Sequence, residues 1–305
     1  MDEYLIVLAR GVYPNLADDE VLGFIEARRR DGESERKIAL LFANRQRELT
    51  TLRATLEQWA GDDASRLPAV NDVIDCWRQG LDRERAPHAT LNLRADQVLP
   101  EWEADFSHVQ TLNLSGARLL AEEPTQLLRP FPRVQQLELY VSPEQLEAVT
   151  QRLADVSGLT AVSITGPELT YTPQALQPLE RMTGLLQLSL VGSLPALDLS
   201  GLTSLRRLSV SGTLSAWPQG LLALEHLEFL DLAQTQLRSV PAEMLVGHQR
   251  LWRGLQMNWA AYEPEDFMRV FEYLHDNPAH LVDEQRLVQA YCEGALARLR
   301  RADPT

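Results

Sequence analysis

Leu227-Glu228-Phe229-Leu230-Asp231-Leu232 places aliphatic residues at its first, fourth and sixth positions, with one polar residue between the last two. The closing doublet returns seven more times, as Leu91/Leu93, Leu112/Leu114, Leu137/Leu139, Val162/Ile164, Leu188/Leu190, Leu208/Val210 and Leu255/Met257. First members are separated by 21, 25, 25, 26, 20, 22 and 25 residues, the length of one strand plus one return segment in a solenoid coil. Strand side chains alternate between faces, so each doublet points inward and the residue between its members faces solvent. An upstream aliphatic joins most doublets: Val109, Val134, Leu159, Leu185, Leu205 or Leu227. Burying such side chains stabilises by roughly 1.5 to 3 kcal/mol each, a term one coil alone does not retain against its chain entropy.

Return segments differ along the array. Thr125 to Leu128, Gln145 to Leu153 and Gln174 to Met182 predict helical returns, whereas the coils of 20 and 22 residues leave room for extended or 3₁₀ turns only. Trp217-Pro218 and Val240-Pro241 suit such tight returns, because proline fixes φ and needs no donor there. Gly116, Gly166, Gly192 and Gly212 follow the strands at the turn outward.

Helical periodicity flanks the array. Ser34 to Ala60 lacks Pro and Gly, and Ile38, Leu41, Phe42, Leu49, Leu52, Leu56 and Trp59 form one apolar stripe. Asp18 and Asp19 are candidate caps for a helix carrying Val21, Leu22, Phe24 and Ile25 that stops near Asp31-Gly32, and Pro68 opens another with Val70, Val73, Ile74 and Trp77. Past Glu263, Phe267, Val270, Phe271 and Leu274 make one helical face and Val288, Tyr291, Ala295 and Leu299 another, separated at Asn277-Pro278. Arg298, Arg300 and Arg301 suit the negative end of that last helix. The expected division is a helical region over 1–85, repeats over 86–262 and a helical cap over 263–305.

Composition narrows the partners. With 29 basic against 43 acidic side chains the formal charge is −14, which repels phosphate backbones and anionic lipid. Nucleic acid and membranes are therefore disfavoured, and no apolar run reaches the roughly 18 to 20 residues of a membrane span. The two cysteines, Cys76 and Cys292, lie in different helical segments and make no disulfide framework, which points to a reducing environment. The acidic start Met1-Asp2-Glu3 lacks the basic region of a secretory signal peptide.

The phrase L-x-x-L-x-L, complete in Leu227 to Leu232 and led by valine in Val109-Gln110-Thr111-Leu112-Asn113-Leu114, resembles the leucine-rich repeat superfamily. The resemblance implies an α/β solenoid, a horseshoe whose concave face is a parallel sheet of about eight strands, with an N-terminal helical region and a C-terminal helical cap. Taken with the leading helices, the acidic balance and the Trp-Pro and Val-Pro returns, the chain looks more narrowly like the repeat regions of bacterial effectors and large toxin-like proteins that precede a novel-E3-ligase domain. In that family the repeats recognise substrate, and a separate helical domain carries a Cys-x-Asp motif that accepts ubiquitin. Such a resemblance implies a bacterial cytoplasmic protein, or one secreted or injected into a host cytoplasm. Two departures stand out. The asparagine usual three residues after the strand is replaced by Asp96, Ala117, Ser142, Pro167, Ser193, Thr213, Thr235 and Ala260, and Cys292-Glu293-Gly294 has glycine where the motif needs aspartate. The expectation is a recognition module without catalytic residues, the alternative being a ligase whose cysteine is Cys292 or lies in a further segment.

Solvent-facing strand positions nominate the surface that binds a protein target. One column reads Asn92, Asn113, Glu138, Ser163, Ser189, Ser209, Asp231 and Gln256, and its neighbour Arg94, Ser115, Tyr140, Thr165, Val191, Ser211, Ala233 and Asn258. On this small polar floor the binding residues are expected to be Tyr140, Glu138, Arg206, Arg207, Phe229, Asp231 and Trp259, since aromatic and arginine side chains dominate interface energetics. Phe229 and Trp259 have packing against returns or cap as the competing role. Chemistry is less promising: His275 and His280 lack metal-ligand spacing, and His88, His108, His226 and His248 suit turn hydrogen bonds. Cys292 reads as a buried, inert thiol, and Glu122-Glu123 and Asp62-Asp63 as solvated acids. No cofactor and no metal are expected.

Overall fold

The computed structural model describes residues 2–81, 89–93, 98–280 and 284–302. His88, Arg94 and Asp96, and the side chains of Leu299 and Arg301, lie outside the described residues. Among the described residues, eight parallel strands form one open sheet in sequence order, with helices flanking it. Contacts divide the chain into two compact units, Met1–Leu137 and Glu138–Thr305. Among the described residues no helix is long and apolar enough to cross a membrane.

The first unit opens with four helices, α1 (Asp2–Val12), α2 (Asp18–Arg30), α3 (Glu35–Ala60) and α4 (Leu67–Gln79). Ser34 caps α3 by accepting from the Lys37 amide at 3.3 Å, and the chain leaves that helix at Gly61. Asp18 and Asp19 do not cap α2. The N-cap is Ala17, whose amide donates to Glu20 Oε2 at 3.0 Å, and the two aspartates sit in the first turn, where the helix dipole favours them. The buried stripe of α3 runs through Ile38, Phe42, Leu49, Leu52 and Leu56, but Leu41 and Trp59 are only half-buried. Arg45 lies on the stripe, 6 % exposed, donating to Tyr13 Oη at 2.7 Å and to the Leu81 carbonyl. Trp77 of α4 is fully buried, stacks on Tyr13 with ring centroids 6.0 Å apart, and donates through Nε1 to Glu48 Oε1 at 2.7 Å.

Strands β1 (Ala89–Leu93) and β2 (Val109–Ser115) follow, pairing Leu91 with Leu112 and Leu93 with Leu114. Here the alternation expected from the doublets fails. Thr111, Asn113 and Ser115 are buried along with the leucines, so both faces of β2 are covered. Asn113 Nδ2 donates to Asn92 Oδ1 at 2.6 Å, which partly offsets the cost of burying the amide. Short helices α5 (Gly116–Ala121) and α6 (Pro124–Leu128) come next; the first was not legible in the repeat pattern.

In the second unit the strands are the end of β3 (Gln136–Tyr140), then β4 (Ala161–Thr165), β5 (Gln187–Val191), β6 (Arg207–Ser211), β7 (Phe229–Gln234) and the two-residue β8 (Leu255–Gln256). Doublets lie side by side: Val162 opposite Leu188, Leu188 opposite Leu208, Leu208 opposite Leu230, Leu230 opposite Leu255. Upstream Leu159, Leu185, Leu205 and Leu227 are buried with them. Returns change character as predicted, from α7 (Leu146–Ala154) and α8 (Pro173–Glu180) to a 3₁₀ turn at Leu221–Ala223, although a short helix α9 (Gln249–Gly254) reappears before β8.

Backbone hydrogen bonds take over where an asparagine ladder is missing. The Ser193 amide donates to the Leu169 carbonyl at 2.8 Å, Tyr171 to Ser193 at 2.8 Å, Leu194 to Thr213 at 2.7 Å and Gly212 to Gln234 at 3.1 Å. Gly192 and Gly212, at φ 143° and 123°, make this approach possible: a Cβ would lie 2.5 Å from the Leu169 carbonyl oxygen in one case and 2.2 Å from that of Gly192 in the other. Among the described residues, Thr235 alone replaces the asparagine with a buried side-chain bond, to the Leu232 carbonyl at 2.7 Å.

Helices α10 (Pro264–Asp276) and α11 (Glu284–Ala302) close the unit. Tyr291 stacks on Phe267 with centroids 3.9 Å apart, and Arg298 donates to the Ala260 carbonyl and, at 3.0 Å, to that of Tyr262. Arg298 thus ties α11 to the turn after β8, a more specific role than opposing a helix dipole.

Tyr171 gives a stability test within this core. It is 1 % exposed and its hydroxyl has no hydrogen-bond partner among the described residues, and burial pushes its pKa up. A buried hydroxyl left unpaired costs about 1 to 3 kcal/mol. Tyr171→Phe is therefore expected to raise stability by about 1 kcal/mol in urea unfolding. A loss of that size would mean the hydroxyl has an acceptor.

Candidate functional site

The outward face of the second unit's strands is built in columns by the sheet register. Ala161, Gln187, Arg207 and Phe229 form one; Ser163, Ser189, Ser209, Asp231 and Gln256 form the next. In the third, Val191 faces Ser211, but Ser211 faces Gln234 and not the expected Ala233. The register shifts because Asp231 Oδ1 accepts the Ala233 amide at 3.0 Å and draws that residue out of the ladder.

Arg207 and Phe229 are direct register partners on adjacent strands, and the guanidinium carbon lies 4.9 Å from the ring centroid. The pair offers one composite platform, a planar cation over a half-buried ring. Arg206 sits one residue before β6, with its side chain 55 % exposed and 3.9 Å from Glu228, a weak surface pair. Tyr140, half-exposed, ends β3, and Glu138 is half-buried two residues earlier. With strands about 4.8 Å apart, β3 to β7 spans about 19 Å. Between its ends lie the Ser163, Ser189 and Ser209 hydroxyls, each able to donate and accept.

Trp259 lies outside the strand columns. It lies in a 3₁₀ turn after β8 and packs on Tyr262 with centroids 5.0 Å apart, the packing role that competed with binding. Asp231 also has a structural use, in the bulge.

Other candidates separate cleanly. Cys292 is exposed on α11, not buried, because Tyr291 is the residue that packs inward; among the described residues it has no hydrogen-bond partner. Cys76 is buried, and burial, then the Asp72 charge, push its thiol up to about 12. His108 is buried, its Nε2 2.8 Å from the Cys76 carbonyl; His275 stacks on Phe271, and His280 meets Tyr273 edge to face. His226 is exposed, and His248, at φ 60°, precedes α9. Among the described residues no group of three His, Cys, Asp or Glu is placed to hold a metal. Glu122 is not a solvated acid: it pairs with the buried Arg118 at 3.1 Å, while Glu123 is the N-cap of α6. Asp63 accepts from the Ser65 amide at 2.9 Å and pairs with Arg66 at 3.3 Å.

No protein-family model, curated protein or solved structure matches this chain.

Proposed function

We propose that the chain has a leucine-rich repeat fold and serves as a recognition module of the bacterial effector or toxin-like type, binding a target protein on the outward face of β3 to β7. The observation that carries this reading is the serine-lined floor bounded by Tyr140 at one end and the Arg207–Phe229 platform at the other. A face of hydroxyls with planar anchors suits a polypeptide, because large rigid side chains give contact area at low entropic cost and hydroxyls adapt to either hydrogen-bond partner. Repeats that share a core and expose a sheet are the usual scaffold for such contacts.

A photo-crosslinking residue at Ser189 is expected to capture the target, and the same residue at Gln177, exposed on α8, to capture none. The triple variant Tyr140→Ala, Arg207→Ala, Phe229→Ala should abolish the Ser189 adduct, with circular dichroism and melting close to those of the parent. Equal capture from both positions, or an adduct that survives the triple variant, would overturn the assignment.

A further inference from the structure

The first unit holds a cavity of about 760 Å³ between the segment Val98–Asp105 and residues Arg118 to Pro132, within the size range of ligand sites. Among the described residues, the deeply buried cation of its lining is already paired: Arg118, 3 % exposed, lies 3.1 Å from Glu122 Oε1. Trp102 forms an aromatic wall, held by Phe106 at 5.7 Å and Phe131 at 6.3 Å between centroids. The two acids beside it in sequence, Glu101 and Glu103, also line the cavity; both are exposed and have no hydrogen bond or ion pair among the described residues. Arg129, likewise exposed, is the opposing charge on this rim.

An indole wall whose rim carries two carboxylates against one exposed arginine fits a planar cation. Guanidinium is favoured over ammonium, since it stacks on the ring while its fork reaches a carboxylate. The same unit contains an occupied version of this trio: the Arg66 guanidinium carbon lies 4.9 Å from the Trp59 ring centroid and its Nε 3.3 Å from Asp63. We propose that the cavity is a second binding site, which receives an arginine side chain from an extended basic segment of a partner polypeptide, with the guanidinium over Trp102 and paired with Glu101 or Glu103. The site is independent of the sheet face and does not rest on the function proposed for it.

The probe is a fluorescein-labelled octapeptide of alternating proline and arginine, which stays extended, tested by anisotropy on the full chain against a proline–glutamate counterpart. Only the arginine peptide is expected to bind. The double variant Glu101→Gln, Glu103→Gln should weaken it about tenfold, and Trp102→Leu by a similar factor. Glu147→Gln with Asp155→Asn makes the same change in net charge at exposed positions of the other unit, and should leave binding within twofold. Because Glu101 and Glu103 are exposed, their exchange tests the site without risk to folding. The proposal is overturned if the control pair weakens binding as much as the rim pair, if the glutamate peptide binds instead, or if the arginine peptide does not bind.

Discussion

Gly212→Ala is expected to lower the stability of the unit that contains it by about 3 kcal/mol or more, read as a fall in the urea midpoint, from the combination of backbone strain and direct overlap. The residue sits at φ 123°, which an alanine adopts only under strain, and the new Cβ would lie 2.2 Å from the Gly192 carbonyl oxygen and 2.9 Å from its carbonyl carbon. Neither atom belongs to a flexible side chain. Relief requires these two coils to separate, which threatens the Gly192 to Ser211 and Leu194 to Thr213 amide bonds between them. Gly247 is the matched control: it has φ 80° but nothing within 4 Å of the added carbon, so Gly247→Ala should cost only about 1 to 2 kcal/mol, the left-handed backbone term alone. Equal losses at the two sites would show that close coil contact contributes nothing.

The second large effect belongs to the first unit. Trp77→Ala should cost about 3 to 5 kcal/mol, the range for deleting a large buried aromatic. The indole is fully buried, stacks on Tyr13 and donates to Glu48 Oε1, an oxygen that also accepts the Asp105 amide at 2.7 Å. Deletion leaves a void and strips a carboxylate oxygen of one of its donors. Trp77→Phe keeps much of the ring but not the donor, so its loss should fall to about half. If the alanine variant unfolds at the parental urea concentration, the four helices do not depend on this residue for packing.

Particular residues show what the sequence made legible. The doublets carried the strands because a period of two repeated every twenty-odd residues leaves one arrangement that buries every leucine pair, and the spacing also separated helical from 3₁₀ returns. It did not reveal that Asn113 and Ser115 are covered, because one bonds Asn92 on the next strand and the other caps a helix, α5, that the doublet pattern does not show. Nor did it reveal Arg45, a charged side chain inside an otherwise apolar stripe, because periodicity counts only apolar positions. Tyr140, Arg207 and Phe229 were readable as outward-facing from alternation alone. That Arg207 lies over Phe229 required the register between β6 and β7, and that Ala233 leaves its column required knowing that Asp231 turns back on its own chain. Trp259 falls beyond the strand columns because the last doublet, Leu255/Met257, supports only two residues of strand, so the positions after it obey turn geometry.

The residue-for-residue match of β5 with β6, Gln187 to Arg207 through Val191 to Ser211, makes length in this stretch a discrete variable. Adding or removing twenty amino acids as a block brings an equivalent edge to the next neighbour, whereas a lone insertion within a strand swaps its inside for its outside. Variation in such a gene is thereby channelled into whole-unit duplication or loss, which lengthens or shortens the available surface in fixed increments and leaves the rest of the fold undisturbed.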